Sequence, residues 1–147
     1  MSKTNAFETN LLNHIFKNVA IGNIGDATGL PAAATVGNLY VSLHTADPGE
    51  TGDQTTSEAT FTGYARMAVI RSAVGWTISG TTQIANAAAI TFAACTAGTN
   101  TITHFGIGTS LSGVGNLLYK GAFSSSLAIS NGITPEISIG ALVITED

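Results

Sequence analysis

From residue 37 to its end the chain is written in short runs with apolar residues at alternate positions, each closed by Gly, Asn or Pro. This punctuation constrains the fold more than any other feature. Leu39, Val41 and Leu43 alternate with Tyr40, Ser42 and His44, the period-two signature of a half-buried strand. Further strand candidates cover 64–71, 76–79, 82–85, 88–92, 101–108, 117–123, 127–129, 133–139 and 141–145, with turn pairs such as Val74-Gly75 and Ser112-Gly113 between them. Asn131-Gly132 predicts a type I′ hairpin turn, because both residues tolerate positive φ. Pro135 lies inside a candidate strand, which places that strand at an edge or a bulge. Many short strands with regular turns predict an all-β fold, a single antiparallel β-sandwich or jelly-roll-like domain over residues 37–147.

Residues 1–36 read differently. Phe7, Leu11, Leu12, Ile15, Phe16 and Val19 recur at spacings of three and four, which puts them on one face of a helix. Asn5 with Glu8 approximates a capping box, and Gly22 follows as a stop. The apolar stripe either packs on the β domain or reaches out as an assembly arm, and its six residues are the candidate interface. Residues 21–36 read as a loop broken by Pro31. Between His44 and Gly63, the Asp47-Pro48-Gly49 turn opens a long polar stretch, expected as a mobile surface excursion.

Charge narrows the function classes. Asp, Glu, Lys and Arg make up 10% of the 147 residues and the formal net charge is −4, against about 25% charged residues in an average globular domain. A surface so poor in charge suits a protein that ends up packed in an assembly. The basic residues Lys3, Lys17, Arg66, Arg71 and Lys120 are scattered, whereas nucleic-acid binding needs them clustered, so no nucleic-acid partner is expected. The N-terminus lacks the pattern of a secretory signal and no apolar run approaches the roughly 18 residues of a membrane span, so synthesis in a cytoplasm and no membrane partner are expected. Cys95 is the single cysteine, which points to a buried, inert thiol.

No chemistry-bearing constellation emerges. His14, His44 and His104 have no ligand spacing among them, and a site from His44, Asp47 and His104 requires their strands to be neighbours. Asp47, Glu50, Asp53 and Glu58 do not follow the alternate-ligand pattern of a calcium loop and read as a solvated run. Gly106-Ile107-Gly108 lacks the third glycine of a dinucleotide fingerprint. Trp76 and Tyr64 are the aromatics that could stack on a sugar in a carbohydrate-binding module, and core packing accounts for both more simply. No catalytic residue, metal or cofactor is expected.

Leu39 through Gly49, Gly63-Tyr64-Ala65-Arg66, Thr101 through Phe105 and Asn131 through Glu136 together resemble a family of small tailed-phage proteins commonly labelled phage tail fibre or virion proteins. The likeness runs over about three quarters of the chain. It implies a non-enzymatic structural protein, made in the bacterial host cytoplasm and resident in the virion. It carries no catalytic residues. Fibres are usually long and repetitive, whereas this chain is short and without repeats, so a capsid decoration (cement) role is the first expectation. A tail-fibre, tail-tip or neck component is the alternative. Expected partners are the major capsid protein or other virion proteins, together with further copies of the chain.

Overall fold

The computed structural model describes residues 2–147. It contains one helix, α1 (Asn5–Lys17), and nine strands: β1 (Asn38–His44), β2 (Met67–Ile70), β3 (Trp76–Ile78), β4 (Gln83–Asn86), β5 (Ile90–Thr91), β6 (Asn100–Gly108), β7 (Leu117–Ile129), β8 (Glu136–Ile137) and β9 (Val143–Thr145). The strands form three sheets, ordered β2-β1-β6-β7, β3-β4-β9 and β5-β8, with antiparallel pairing. This is the all-β class that the strand punctuation predicts. By contacts the chain falls into two compact units, 1–38 with 70–89 and 137–147, and 39–69 with 90–136. Residues 1–36 therefore lie in the same unit as β3, β4 and β9.

In the first unit α1 is capped by Thr4, whose Oγ1 accepts from the Phe7 amide at 3.4 Å, and not by the expected Asn5. It ends at Asn18 in the left-handed conformation, four residues before Gly22, because Asn tolerates that geometry and closes the turn. Leu12 and Phe16 are wholly buried, and Phe16 meets Trp76 edge-on with ring centroids 4.7 Å apart. Arg71 donates from Nε to the Ile15 carbonyl (2.6 Å) and from Nη2 to the His14 carbonyl (2.7 Å). A cation thus satisfies carbonyls left open at the helix C-terminus, where the dipole favours positive charge. Asn86 is buried with its amide fully engaged: Nδ2 donates to Ala88 and Ser138 carbonyls, and Oδ1 accepts from the Leu142 amide. The loop after α1 is closed by a two-way clasp, Asn18 Nδ2 to the Ala33 carbonyl and the Ala33 amide back to Asn18 Oδ1.

In the second unit β1 and β6 pair from Tyr40↔Gly108 to His44↔His104, and β7 closes the edge beside β6. Val41, Leu43, Ile102, Phe105 and Ile107 are buried on these strands. The two expected strands at 117–123 and 127–129 are one strand with a bulge, since the register jumps from Ala122↔His104 to Leu127↔Ile102. Regular pairing around Pro135 shrinks to the two residues of β8. Asn131-Gly132 forms a turn in which only Gly132 has positive φ (+87°), so it is not type I′. The Gly132 amide donates to the Cys95 carbonyl at 2.8 Å, and the chain continues to β8, paired with β5. Cys95 is buried, as its apolar setting predicts.

Candidate functional site

The most elaborate arrangement of polar side chains lies in the second unit, where the stretch between β1 and β2 folds down on the sheet. Gly106 and Gly108 make room for it. A side chain on Gly106 would collide with the His44 imidazole and the Ser42 hydroxyl, and one on Gly108 with the Gln54 side chain. The Gly-Ile-Gly triplet is thus a pair of notches in β6, one seating polar side chains of the neighbouring β1 and one seating Gln54 of the overlying stretch. Gly108→Ala is expected to cost about 1–3 kcal/mol in urea unfolding through overpacking. Gly37→Ala, where a new Cβ meets nothing, is expected to stay within about 0.5 kcal/mol.

His44 and Gln54, both wholly buried, fill those seats. The His44 Nδ1 lies 2.8 Å from the Thr56 carbonyl, which can only accept, so Nδ1 carries the proton; Nε2 lies 2.8 Å from Ser42 Oγ and accepts from it. Gln54 Oε1 accepts from the Ser110 amide (2.9 Å) and Nε2 donates to the Ser110 carbonyl (3.3 Å). The Gln54 amide in turn donates to the Gly115 carbonyl. One glutamine therefore ties the stretch over β6 to the β6–β7 connection.

Glu58, Tyr64 and Arg66 form the second anchor. Arg66 grips Glu58 in a two-pronged pair, Nε to Oε1 at 2.7 Å and Nη2 to Oε2 at 2.8 Å, and its Nη1 donates to the Ser110 carbonyl at 2.9 Å. The Tyr64 hydroxyl donates to Glu58 Oε1 (2.8 Å) and accepts from the Leu43 amide (3.1 Å). Burial raises the Tyr64 pKa far above the usual phenol range. A groove of about 240 Å³ runs beside this cluster, lined by Glu58, Tyr64, Arg66, Leu111, Ser112 and Gly113. Both Glu58 oxygens and all three Arg66 nitrogens are already engaged within the protein.

The expected mobile excursion is therefore an anchored one. Glu58 also departs from the solvated acidic run, because Arg66 pairs with it under the sheet's polar cover. The remaining acids behave as expected of a surface loop. Asp47 and Glu50 reach Lys120 at 3.1 and 3.0 Å, beside an open groove of about 360 Å³ lined by Gly49, Glu50, Gly52 and residues 117–120. Asp53 caps the local turn by accepting from Thr55. The Gly49 amide first, then Lys120, holds the Asp47 carboxyl below its ordinary pKa.

The strands carrying His44 and His104 are neighbours, and the register sets the two residues opposite each other. His44 is nonetheless no free ligand, since both ring nitrogens are occupied. His104 Nδ1 pairs with Thr103 Oγ1, and His14 Nδ1 with the Val19 carbonyl. Among the described residues no group of three or more His, Cys, Asp or Glu is placed to hold a metal ion. Trp76 is buried beneath α1 and offers no face for a sugar.

Burial holds His44 below its ordinary pKa of 6.5, against the opposing pull of the Thr56 carbonyl. The unfolded chain then takes up this proton at a higher pH than the folded one. Stability should fall as pH drops below about 6.5, and this contribution should level off once the folded imidazole is also protonated. Thermal unfolding followed across that range should show the decline, and His44→Gln should flatten it.

The expected helical stripe divides. Leu12 and Phe16 face the interior of their unit, Leu11 and Ile15 are half-buried and Phe7 is 38% exposed, while Val19, 47% exposed, lies off the helix, beyond its Asn18 cap. No helix among the described residues is long and apolar enough to cross a membrane. Gln54 and Ser110, central to the anchored loop, went unmarked in the sequence because nothing local links positions 56 residues apart.

Glu58, Arg66, Gln54 and His44 thus spend their polar atoms inside the protein, on fixing its own loop. The family described as Podophage GP4 fiber I protein gp80 matches residues 2–145, and the chain belongs to it. No curated protein matches the chain. Membership makes it a phage structural protein of tail-fibre type.

Proposed function

We propose that the chain is a structural component of a podophage tail fibre, working by packing against neighbouring virion proteins. The family match over residues 2–145 carries this reading. It favours the fibre alternative over the capsid decoration role expected from size and lack of repeats. The geometry supports a passive role for the anchored cluster: Arg66, Glu58, Gln54 and His44 spend their polar atoms on stabilising a loop. Contacts then fall to exposed apolar side chains, among them Phe7 and Val19, with half-buried Leu11 and Ile15 near them, and the loop carrying Leu111 and Val114. Partners are other virion proteins and further copies of the chain.

Counting copies per particle tests the reading. Quantitative mass spectrometry of purified virions should give a copy number in step with the tail appendages. A number in step with the major capsid protein would return the chain to the shell.

A further inference from the structure

Strand β7 is the terminal strand of its sheet, and it is 13 residues long. Edge strands template pairing with other chains, and proteins usually blunt them with charge, proline or a β-bulge. Between Gly121 and Ile129 β7 has neither charge nor proline, and its irregularity is the bulge at 123–126. Ser124, Ser125 and Ser126 are exposed, as are Ala122, Leu127 and Ala128. Phe123–Ser126 stand opposite the single β6 residue Thr103, because the register passes from Ala122↔His104 to Leu127↔Ile102. Outside the β6 ladder, no backbone group of 121–129 is hydrogen-bonded to another described segment.

The order of side chains along this edge is what singles out its partner. Read outward from Ser125, the sequence is Ser124 and Ser126, Phe123 and Leu127, Ala122 and Ala128. In an antiparallel pair of two such edges about a two-fold axis at Ser125, each of these residues faces its like. Ser124 lies opposite Ser126, Phe123 opposite Leu127 and Ala122 opposite Ala128, each pairing occurring twice. An isologous interface requires this kind of self-complementarity. Lys120, the nearest charge, would face Ser130, and in its own chain it is already paired with Asp47 and Glu50. No like charges meet. The bulge at 123–126 contains the axis, so both copies bring the same contour to the contact.

We propose that residues 121–129 of β7 form a homodimerisation edge, pairing antiparallel with the same edge of a second copy about Ser125. The pairing goes beyond the fibre assignment and stands without it. Its partner is another copy of this chain, since a generic strand would lack the matched order of serine, large apolar and alanine positions.

Charge swaps at the axis test it. Ser125 is exposed, so Ser125→Lys and Ser125→Asp should fold with an unchanged circular dichroism spectrum. Each alone sets two like charges directly opposite, which disfavours cross-strand pairing. In sedimentation velocity the wild type should run as a dimer, each variant as a monomer, and an equimolar mixture of the two as a dimer again. Ser125→Cys should crosslink two chains under mild oxidation while buried Cys95 stays reduced. A monomeric wild type, a trimer, a dimer indifferent to Ser125→Lys, or a mixture that stays monomeric would each overturn the proposal.

Discussion

Arg66→Ala should lower the stability of the protein by about 3–5 kcal/mol, the range for breaking one partner of a buried ion pair. The loss arises less from the missing attraction than from what is left behind. The Arg66 side chain is 2% exposed and that of Glu58 15%, so the carboxylate remains largely under cover with the Tyr64 hydroxyl as its remaining protein donor. The Ser110 carbonyl also loses its guanidinium donor. Against a usual total of about 5–15 kcal/mol, this is roughly a fifth of the stability or more. Urea unfolding should show a lower midpoint. Replacing both partners, with Glu58→Leu and Arg66→Met, should recover part of the loss, since no uncompensated charge then remains. A cost below about 1 kcal/mol for Arg66→Ala would place the pair among ordinary surface contacts and remove it as the anchor of the loop.

Phe16→Ala is the second large expected effect, about 3–5 kcal/mol. Phe16 is 0% exposed and packs edge-on against Trp76, so truncation opens a cavity in the first unit that rigid neighbours fill only in part. Phe7→Ala, on the exposed side of the same stripe, should stay within about 0.5 kcal/mol. The contrast distinguishes a helix that belongs to its unit from a detachable arm. If Phe16→Ala were as mild as Phe7→Ala, α1 would not be part of the core, and polar contacts such as those of Arg71 and Thr9 would hold it instead.

What could be read from the sequence was what depends on near neighbours. The alternation of Leu39, Val41 and Leu43 placed β1, and the three-and-four spacing of Leu12 and Phe16 placed α1. Both patterns arise from faces buried by the element itself. Long-range polar ties were illegible. Asp53, Gln54 and Glu58 look like solvated loop residues because their sequence neighbours are polar; that Gln54 lands in a notch at Gly108 is decided by a strand 54 positions away. The Gly106-Ile107-Gly108 triplet carried the signal, since paired glycines in a strand imply close approach of something else, although not of what. The three serines of β7 read as a break between strands because they alternate nothing. Asn131-Gly132 misled in the same local way, for the Gly132 amide bonds to Cys95 and not across a hairpin.

A fibre-type structural protein that works through its surfaces must be found at its station in the virion. The most direct test is a cryo-electron microscopy reconstruction of the intact particle with this chain placed in the density. Density matching the chain is expected in a tail appendage, packed against other virion proteins. Density for the chain on the lattice of the head shell would contradict it.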